Sequence, residues 1–501
     1  MGWRPGGVKF FASASLPMLS GGMRPPPRDP RPLYRPLPSA HASVLWPALP
    51  GPQAAVTAAL LQQLDQSQWW TPEDLLAQQL RQAGALLDHA YRHVPFYRER
   101  LAQAGHVPGK APTPEVWARI PVLGRAELQR AGAELRSPRI PQGHGGTYEV
   151  SSSGSTGQVV TVQGTRLMQL FWDVLNLRDH LWHRRDFAAR MAAIRPYPAG
   201  VADYPRGGRA ATWGRATRGL YRSGPSAMLD IATTPRQQAD WLRRVQPDYL
   251  LTYPSALRDL LLHCRGEGIT LPTLREVRSL SETLPPETRA LCREVWGLPI
   301  VDGYSSQENG VLALQCPETE HYHVQSEAVM LEVLNAAGEP CRPGEVGQVV
   351  VTSLMNFAMP LIRYALGDMA EVGAPCPCGR GLPVLARVLG RFRNTLSYPD
   401  GRRGWPMMGD IYHAGVEGIR QYQIVQHGLD DIELRLATAA PLTPEDEDRL
   451  RDWLRQRSGH AFPVRFSYLD VIPRGPSGKF ETFVSRIPAQ SGAENSPKQK
   501  D

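Results

Sequence analysis

The residues best suited to chemistry begin with a run of small hydroxyl-bearing residues and glycines, Ser151-Ser152-Ser153-Gly154-Ser155-Thr156-Gly157. Such a run lets a backbone pass close to phosphate oxygens while hydroxyl and N–H groups donate hydrogen bonds to them. The Gly-Lys-Ser/Thr ending of the nucleoside-triphosphatase loop is missing, because Gln158 follows Gly157. Taken alone, the run reads as a flexible loop more readily than as a phosphate cradle. Farther along stand Tyr304-Ser305-Ser306-Gln307-Glu308, then Arg363-Tyr364-Ala365-Leu366-Gly367-Asp368, then Gly390-Arg391. Close to the C-terminus comes Pro473-Arg474-Gly475-Pro476-Ser477-Gly478-Lys479. Singly, each has a plain structural reading: Glu308 a strand-end acid, Asp368 a turn residue after Gly367, Lys479 a solvated loop lysine.

Their order changes the reading. These segments resemble, in the same sequence, the core motifs of the adenylate-forming superfamily, which includes acyl-CoA synthetases, luciferases and peptide-synthetase adenylation domains. The resemblance covers about residues 71–487 and is greatest to the phenylacetate–coenzyme A ligase branch with its capsular-polysaccharide relatives. Ala90-Tyr91-Arg92-His93-Val94-Pro95-Phe96-Tyr97 is typical of that branch. The resemblance implies that Ser152, Ser153, Gly154, Ser155, Thr156 and Gly157 hold the β- and γ-phosphates of ATP. It implies that Glu308 ligates Mg²⁺, a hard cation that prefers carboxylate oxygen. Asp368 would accept hydrogen bonds from the ribose hydroxyls, with Arg391 beside the same sugar. Tyr304 would stack near adenine, Ser281 and Glu282 would edge that pocket, and Ser306 and Gln307 would complete the nucleotide contacts. Lys479 would bridge the attacking carboxylate and the α-phosphate, where negative charge grows. Three departures stand against the pattern. Gln158 replaces a usual Lys, Ser305 and Gln307 replace Gly and Thr, and Arg393-Asn394 replace two hinge acids.

Cys316, His323, Cys376 and Cys378 form a second constellation. Three thiolates and an imidazole suit a tetrahedral structural Zn²⁺ site, and the turn Cys376-Pro377-Cys378-Gly379-Arg380 resembles one in zinc-bearing members of the ligase branch. Reduced, unliganded cysteines remain the alternative, and His321 competes with His323 as ligand. Cys264, Cys292 and Cys341 read as packing or surface residues.

The elements that must position these groups follow from periodicity and caps. Thr71-Pro72-Glu73-Asp74 opens a helix: a Thr cap, Pro in the first turn, and acids facing the helix dipole. Leu76, Leu80, Ala83, Leu87 and Ala90 then recur at steps of four and three. Over residues 120–390 short apolar runs alternate with helical stretches, as in the strand 248–253, helix 256–264, strand 277–280, helix 286–296 and strand 298–302. That alternation predicts an α/β large N-terminal domain with mostly parallel sheets and packed helices. After Gly390, strands at 421–426, 432–436 and 464–471 with a helix at 444–457 predict a small α+β C-terminal domain. The expected division is a disordered leader over 1–52, a large ATP- and carboxylate-binding domain over 53–391, a small mobile domain over 392–487 and a disordered tail over 488–501.

Composition sets the outer bounds. The 501 residues carry a formal net charge of +8, with 42% hydrophobic and 21% charged residues, as in a soluble multidomain protein. Basic residues are interspersed with acids, so no nucleic-acid surface is expected. Six cysteines in this length do not make a disulfide scaffold, and no apolar run approaches the ~20 residues of a membrane span. A cytoplasmic protein is expected, its oligomeric state open, with a homodimer one option. The resemblance implies attack of a carboxylic acid on ATP to give acyl-AMP and pyrophosphate, then acyl transfer to coenzyme A. An amine, a sugar or a carrier protein would serve equally as acceptor. Rival readings are a degenerate nucleotide binder and a zinc-stapled scaffold. The acid is expected against the helix bearing Phe171, Trp172, Leu175 and Trp182, which favours an aromatic or apolar substrate.

Overall fold

The computed structural model describes residues 39–44, 46–152, 160–391, 395–404, 411–438, 440–475 and 478–487. The leader expected over 1–52 lies mostly outside the described residues, as do the hinge residues Arg393 and Asn394.

Local signals place the helices. Pro72–His93 starts where Thr71 Oγ1 accepts a hydrogen bond from the Asp74 N–H at 3.1 Å, a cap typically worth about 1 kcal/mol. Pro95 does not merely end this helix; it opens the next, Pro95–Ala104, because a proline in the first turn needs no N–H partner. The pair is pinned to the body by Tyr97, whose hydroxyl donates to the Pro360 carbonyl at 2.8 Å and accepts from the Ile362 N–H at 3.1 Å.

The large region is organised on one twelve-stranded sheet with two unlike halves. In the first, Met191–Arg195, Ser226–Asp230, Tyr249–Thr252 and Glu276–Ser279 run parallel. Helices Pro235–Val245 and Pro254–Gly266 connect the last three of them in turn, and Pro286–Trp296 leads on to the next strand, as the strand–helix alternation predicts. In the second half Gly310–Gln315, Tyr322–Val324, Val329–Leu334, Val346–Ser353, Tyr364–Val372 and Val384–Arg391 pair antiparallel. The sheet is therefore mixed. Parallel neighbours need a crossover of a dozen or more residues, whereas no helix separates these later strands.

Ile300–Ser306 joins the halves. Its residues 300–302 pair parallel with 277–279, and its residues 303–306 pair antiparallel with 310–314. The strand was expected over 298–302 only. Its extension carries Tyr304 and Ser306 past the carboxyl ends of the parallel strands, where open α/β sheets bind ligands.

A separate core forms after residue 395, around Leu396, Ile424, Leu434, Leu436, Leu450, Trp453 and Phe483. It lies between the helix Pro444–Ser458 and a four-stranded sheet that includes Ile419–Gly428 and Asp431–Thr438. Thr443 and Asp446 cap the helix reciprocally. This is the small α+β unit expected from the sequence.

Candidate active site

Asp368 and Arg391 sit opposite each other on adjacent antiparallel strands. Arg391 Nε lies 3.1 Å from Asp368 Oδ1, and the Tyr304 hydroxyl donates to Asp368 Oδ2 at 2.8 Å. Burial and the neighbouring Asp368 carboxylate push the Tyr304 hydroxyl well above its ordinary range. Burial works against the Arg391 charge, but Asp368, Glu308 and two tyrosines outweigh it and raise its pKa. Three of the residues expected at the nucleotide thus form one bonded group. The preceding Gly390 has φ +89°, and a Cβ there would lie 2.6 Å from Thr283 Oγ1. Only glycine lets the strand reach Arg391 with this backbone.

The C-terminal unit presents Lys479 to this group on a tight loop, closed by the Gly475 N–H to the Lys479 carbonyl at 2.9 Å. Two side chains anchor it to the large region. The Phe480 N–H donates to Glu282 Oε1 at 2.7 Å, while the Ser255 N–H donates to Glu282 Oε2 at 2.9 Å. Arg474 donates to Ser255 Oγ at 2.7 Å and approaches Asp259 and Glu282 at 3.8 Å each. Glu282, expected at the pocket edge, therefore has both oxygens engaged by backbone N–H groups and ties the Lys479 loop down. Burial raises its pKa, opposed by those hydrogen bonds. Burial, and then Arg391, lower the pKa of Lys479, while Asp368, Glu282 and Glu308 oppose them. Lys479, Arg391, Asp368, Glu282 and Glu308 share one electrostatic environment.

Glu308 lies in the turn between Ile300–Ser306 and Gly310–Gln315. Ser306 Oγ accepts from the Asn309 N–H at 3.0 Å and shapes that turn. Glu308 and Asn309 are buried, whereas Gln307 faces solvent. Ser281 adopts φ +71°, unusual for a residue with a side chain, immediately before Glu282. The Ser/Gly run is bounded by an antiparallel pair, Thr147–Ser152 with Val160–Thr165. Ser153, Gly154, Ser155, Thr156, Gly157 and Gln158 lie outside the described residues, so of the run only Ser151, whose Oγ lies 3.3 Å from Thr161 Oγ1, and the backbone of Ser152 are placed.

The helix expected to hold the acid, Arg166–Trp182, divides. Met168, Phe171, Trp172 and Leu175 line a small cavity with Asn309 and Gly310. Trp182 does not join them. It lies about 15 Å along the axis from Trp172 at a helical rise of about 1.5 Å per residue, and packs beside His323 and Arg380.

That second location holds the Cys/His constellation. One ligand atom from each of Cys316, His323, Cys376 and Cys378 lies within 4.8 Å of the others. Cys376 Sγ is 3.8 Å from Cys316 Sγ, and Cys378 Sγ is 3.3 Å from His323 Nε2. Tetrahedral zinc with bonds of about 2.3 Å to sulfur separates two sulfurs by about 3.8 Å. The donor types and spacing fit that ion. His323, not His321, is the imidazole in the cluster. Burial lowers His323 to about 4 and raises Cys316 to about 11; Cys378 is lowered because hydrogen bonds, first those from Arg380, outweigh its burial. Cys264 and Cys292 are core residues, as expected.

Ser255, Asp259, Thr283, Arg474 and Asn309 were not singled out from the sequence. Arg474 lay within the Lys479 motif and was the one with a local signal. The others acquire roles only from elements remote in sequence.

The mixed sheet and the separate C-terminal unit are the fold of the adenylate-forming CoA ligases. The solved 2-hydroxyisobutyryl-CoA ligase, in the postadenylation state in complex with R3-HIB-AMP, aligns with a TM-score of 0.63 at 18% identity, covering 82% of this chain and 89% of that one. Residues 407–486 match the family model described as the CapK C-terminal domain. The chain is related to a phenylacetate–coenzyme A ligase of Thermus thermophilus, 26% identical over 392 residues, 74% of this chain and 83% of that protein. It is also similar to Protein CapK of Staphylococcus aureus, 22% identical over 254 residues, 49% of this chain and 54% of that one. No helix among the described residues is long and apolar enough to cross a membrane.

Proposed function

We propose that the protein is an AMP-forming acid–thiol ligase. A carboxylate oxygen bonds to the α-phosphorus of ATP, the bond to the pyrophosphate oxygen breaks, and acyl-AMP with free pyrophosphate results. In the second step the sulfur of coenzyme A bonds to the acyl carbon, the acyl–phosphate bond breaks, and the thiol proton leaves with AMP as the other product. The observation that carries this reading is the seating of the Lys479 loop, by Glu282 and Arg474, against Asp368, Arg391 and Glu308.

Each side chain then has work that its chemistry suits. Asp368 accepts hydrogen bonds from vicinal ribose hydroxyls, held in place by Tyr304 and Arg391. Lys479 sets positive charge between the attacking carboxylate and the α-phosphate, in a half-buried place where such charge acts more strongly than in water. Glu308 offers a buried carboxylate that fits Mg²⁺, which would offset phosphate charge. The small hydroxyls of the Ser/Gly run would hold the outer phosphates. Cys316, His323, Cys376 and Cys378 would hold Zn²⁺ as a staple, with all four positions filled by protein and none left for catalysis. Release of the Lys479 loop by rotation of the C-terminal unit would admit the thiol. Coenzyme A as acceptor is supported by the names of the relatives, and a cytoplasmic place is consistent with that reading.

Carboxylate-dependent ATP–pyrophosphate exchange tests the first step. Exchange with at least one acid, lost in Lys479→Ala, is expected. A thorough panel of aryl, fatty, hydroxy and amino acids with no exchange above background would sink the ligase reading.

A further inference from the structure

Asp302 stands where the sheet changes sense, and both its carboxylate oxygens and its backbone N–H are engaged there. Ser279, its parallel partner, donates to Oδ1 at 2.6 Å, and the Tyr322 hydroxyl donates to Oδ2 at 2.7 Å. The Asp302 N–H donates to Gln315 Oε1 at 2.9 Å, an oxygen that also accepts from Arg289 at 2.9 Å. Arg289 donates in addition to the Ile300 carbonyl at 2.6 Å. Asp302, Ser279, Gln315, Tyr322 and Arg289 are all buried. A buried carboxylate bound at both oxygens makes a stiff joint, because a shift would leave donors unpaired away from water. Two residues on along the same strand, and so on the same face, is Tyr304, whose hydroxyl holds Asp368.

Two of the residues that grip Asp302 are next neighbours of the Cys/His cluster. Gln315 immediately precedes Cys316, Tyr322 immediately precedes His323, and Gln315 and Tyr322 lie opposite each other on adjacent antiparallel strands. Successive residues of a strand point to opposite faces, so Cys316 and His323 point away from the face on which Asp302 is gripped. The Cys316 N–H continues that pairing by donating to the His321 carbonyl at 2.8 Å. Ligation of Cys316 and His323 by one ion fixes where the two strands stand, and with them the oxygens of Gln315 and Tyr322. We propose that Asp302 is a positioning residue that couples the Cys/His cluster to the ribose end of the nucleotide site. A filled cluster then raises affinity for the adenine nucleotide without touching it. The inference rests on the ligase reading and on Zn²⁺ as the ion that fits the cluster. Ribose is held alike in the ground and transition states, so the coupling acts on nucleotide affinity and leaves the chemical step alone.

The test is calorimetric titration of the full-length protein with AMP, zinc-loaded and then stripped by a chelator, together with ATP–pyrophosphate exchange. Stripping zinc should weaken AMP binding about tenfold, within the range that coupling between sites spans. Such coupling is reciprocal, so AMP should tighten zinc, measured by chelator competition, by the same factor. Asp302→Ala should weaken AMP about tenfold in the loaded protein and abolish the effect of each ligand on the other. Asp302→Asn, which still bonds Ser279 and Tyr322, should restore most of both. In exchange, Asp302→Ala should raise KM for ATP with kcat and KM for the acid unchanged. A role in folding alone would instead lower the melting temperature and the active fraction, with KM for ATP unmoved. Equal AMP affinity with and without zinc overturns the coupling, as does a protein that binds no zinc. Coupling that survives in Asp302→Ala overturns the role of Asp302. In each of these cases Lys479-dependent exchange leaves the ligase reading standing, whereas no AMP binding and no exchange with any acid removes both. Where Asp302→Ala fails to fold, Tyr322→Phe, which frees only Oδ2, is read in its place.

Discussion

The Cys/His cluster and the Lys479 site are both built from residues far apart in sequence, but they are assembled in opposite ways. All four members of the cluster come from the antiparallel end of one sheet and its connecting turns, and their ligand atoms already lie within 4.8 Å of one another. The Lys479 site draws Asp368 and Arg391 from that same sheet but takes its lysine from a unit with a separate core. Its coherence depends on a few interfacial hydrogen bonds, those of Glu282 and Arg474. A site within one body suits permanent binding of an ion. One assembled across two bodies suits a reaction in which a group must be presented and then withdrawn.

Four experiments would break or sharpen that contrast. The largest effect is expected for Lys479→Ala: ATP–pyrophosphate exchange should fall about a thousandfold, in the range lost with a transition-state charge donor, with the melting temperature unchanged. Acyl transfer from supplied acyl-AMP should persist, and parallel loss of both steps would contradict the two-body account. Cys376→Ser should come next, but in stability rather than chemistry. Metal analysis should find less than one zinc per chain, with a loss of about 3 kcal/mol seen as a drop of about 6 °C in melting temperature. A variant that melts like the parent would favour unliganded cysteines.

Arg474→Ala should lower exchange about tenfold by loosening the loop and lower the melting temperature by a few degrees, leaving zinc content alone; it loses the part-buried charged hydrogen bond to Ser255 Oγ, a change of about 1.5–3 kcal/mol. The smallest effect is one of pH. Lys479 must hold its proton to act, and burial with Arg391 lowers its pKa from the ordinary 10.5. Exchange should therefore fade along an alkaline limb that begins below that value, since rising pH removes the charge. Zinc content, being set in the other site, should not follow the same curve. A limb at or above the ordinary lysine range would mean that Lys479 is not held in this half-buried position beside Arg391 during the reaction.

Much of this protein was legible before any coordinates. Capping residues placed the helices at Pro72, Pro286 and Pro444, because Thr or Pro at a helix start acts within one turn. The ordered motifs picked out Asp368, Arg391 and Lys479, and the chemistry of three thiols and an imidazole picked out the cluster without distances. Tertiary structure decided the rest. It set the sense of the strands after Gly310, which depends on connection length rather than on apolar pattern. It chose His323 over His321 for the cluster, moved Trp182 away from Phe171, Trp172 and Leu175, and tied Glu282 to the Lys479 loop. Residue type states what a side chain is able to do. Partners supplied by remote segments decide what it does, because hydrogen bonds and burial are properties of the assembled neighbourhood.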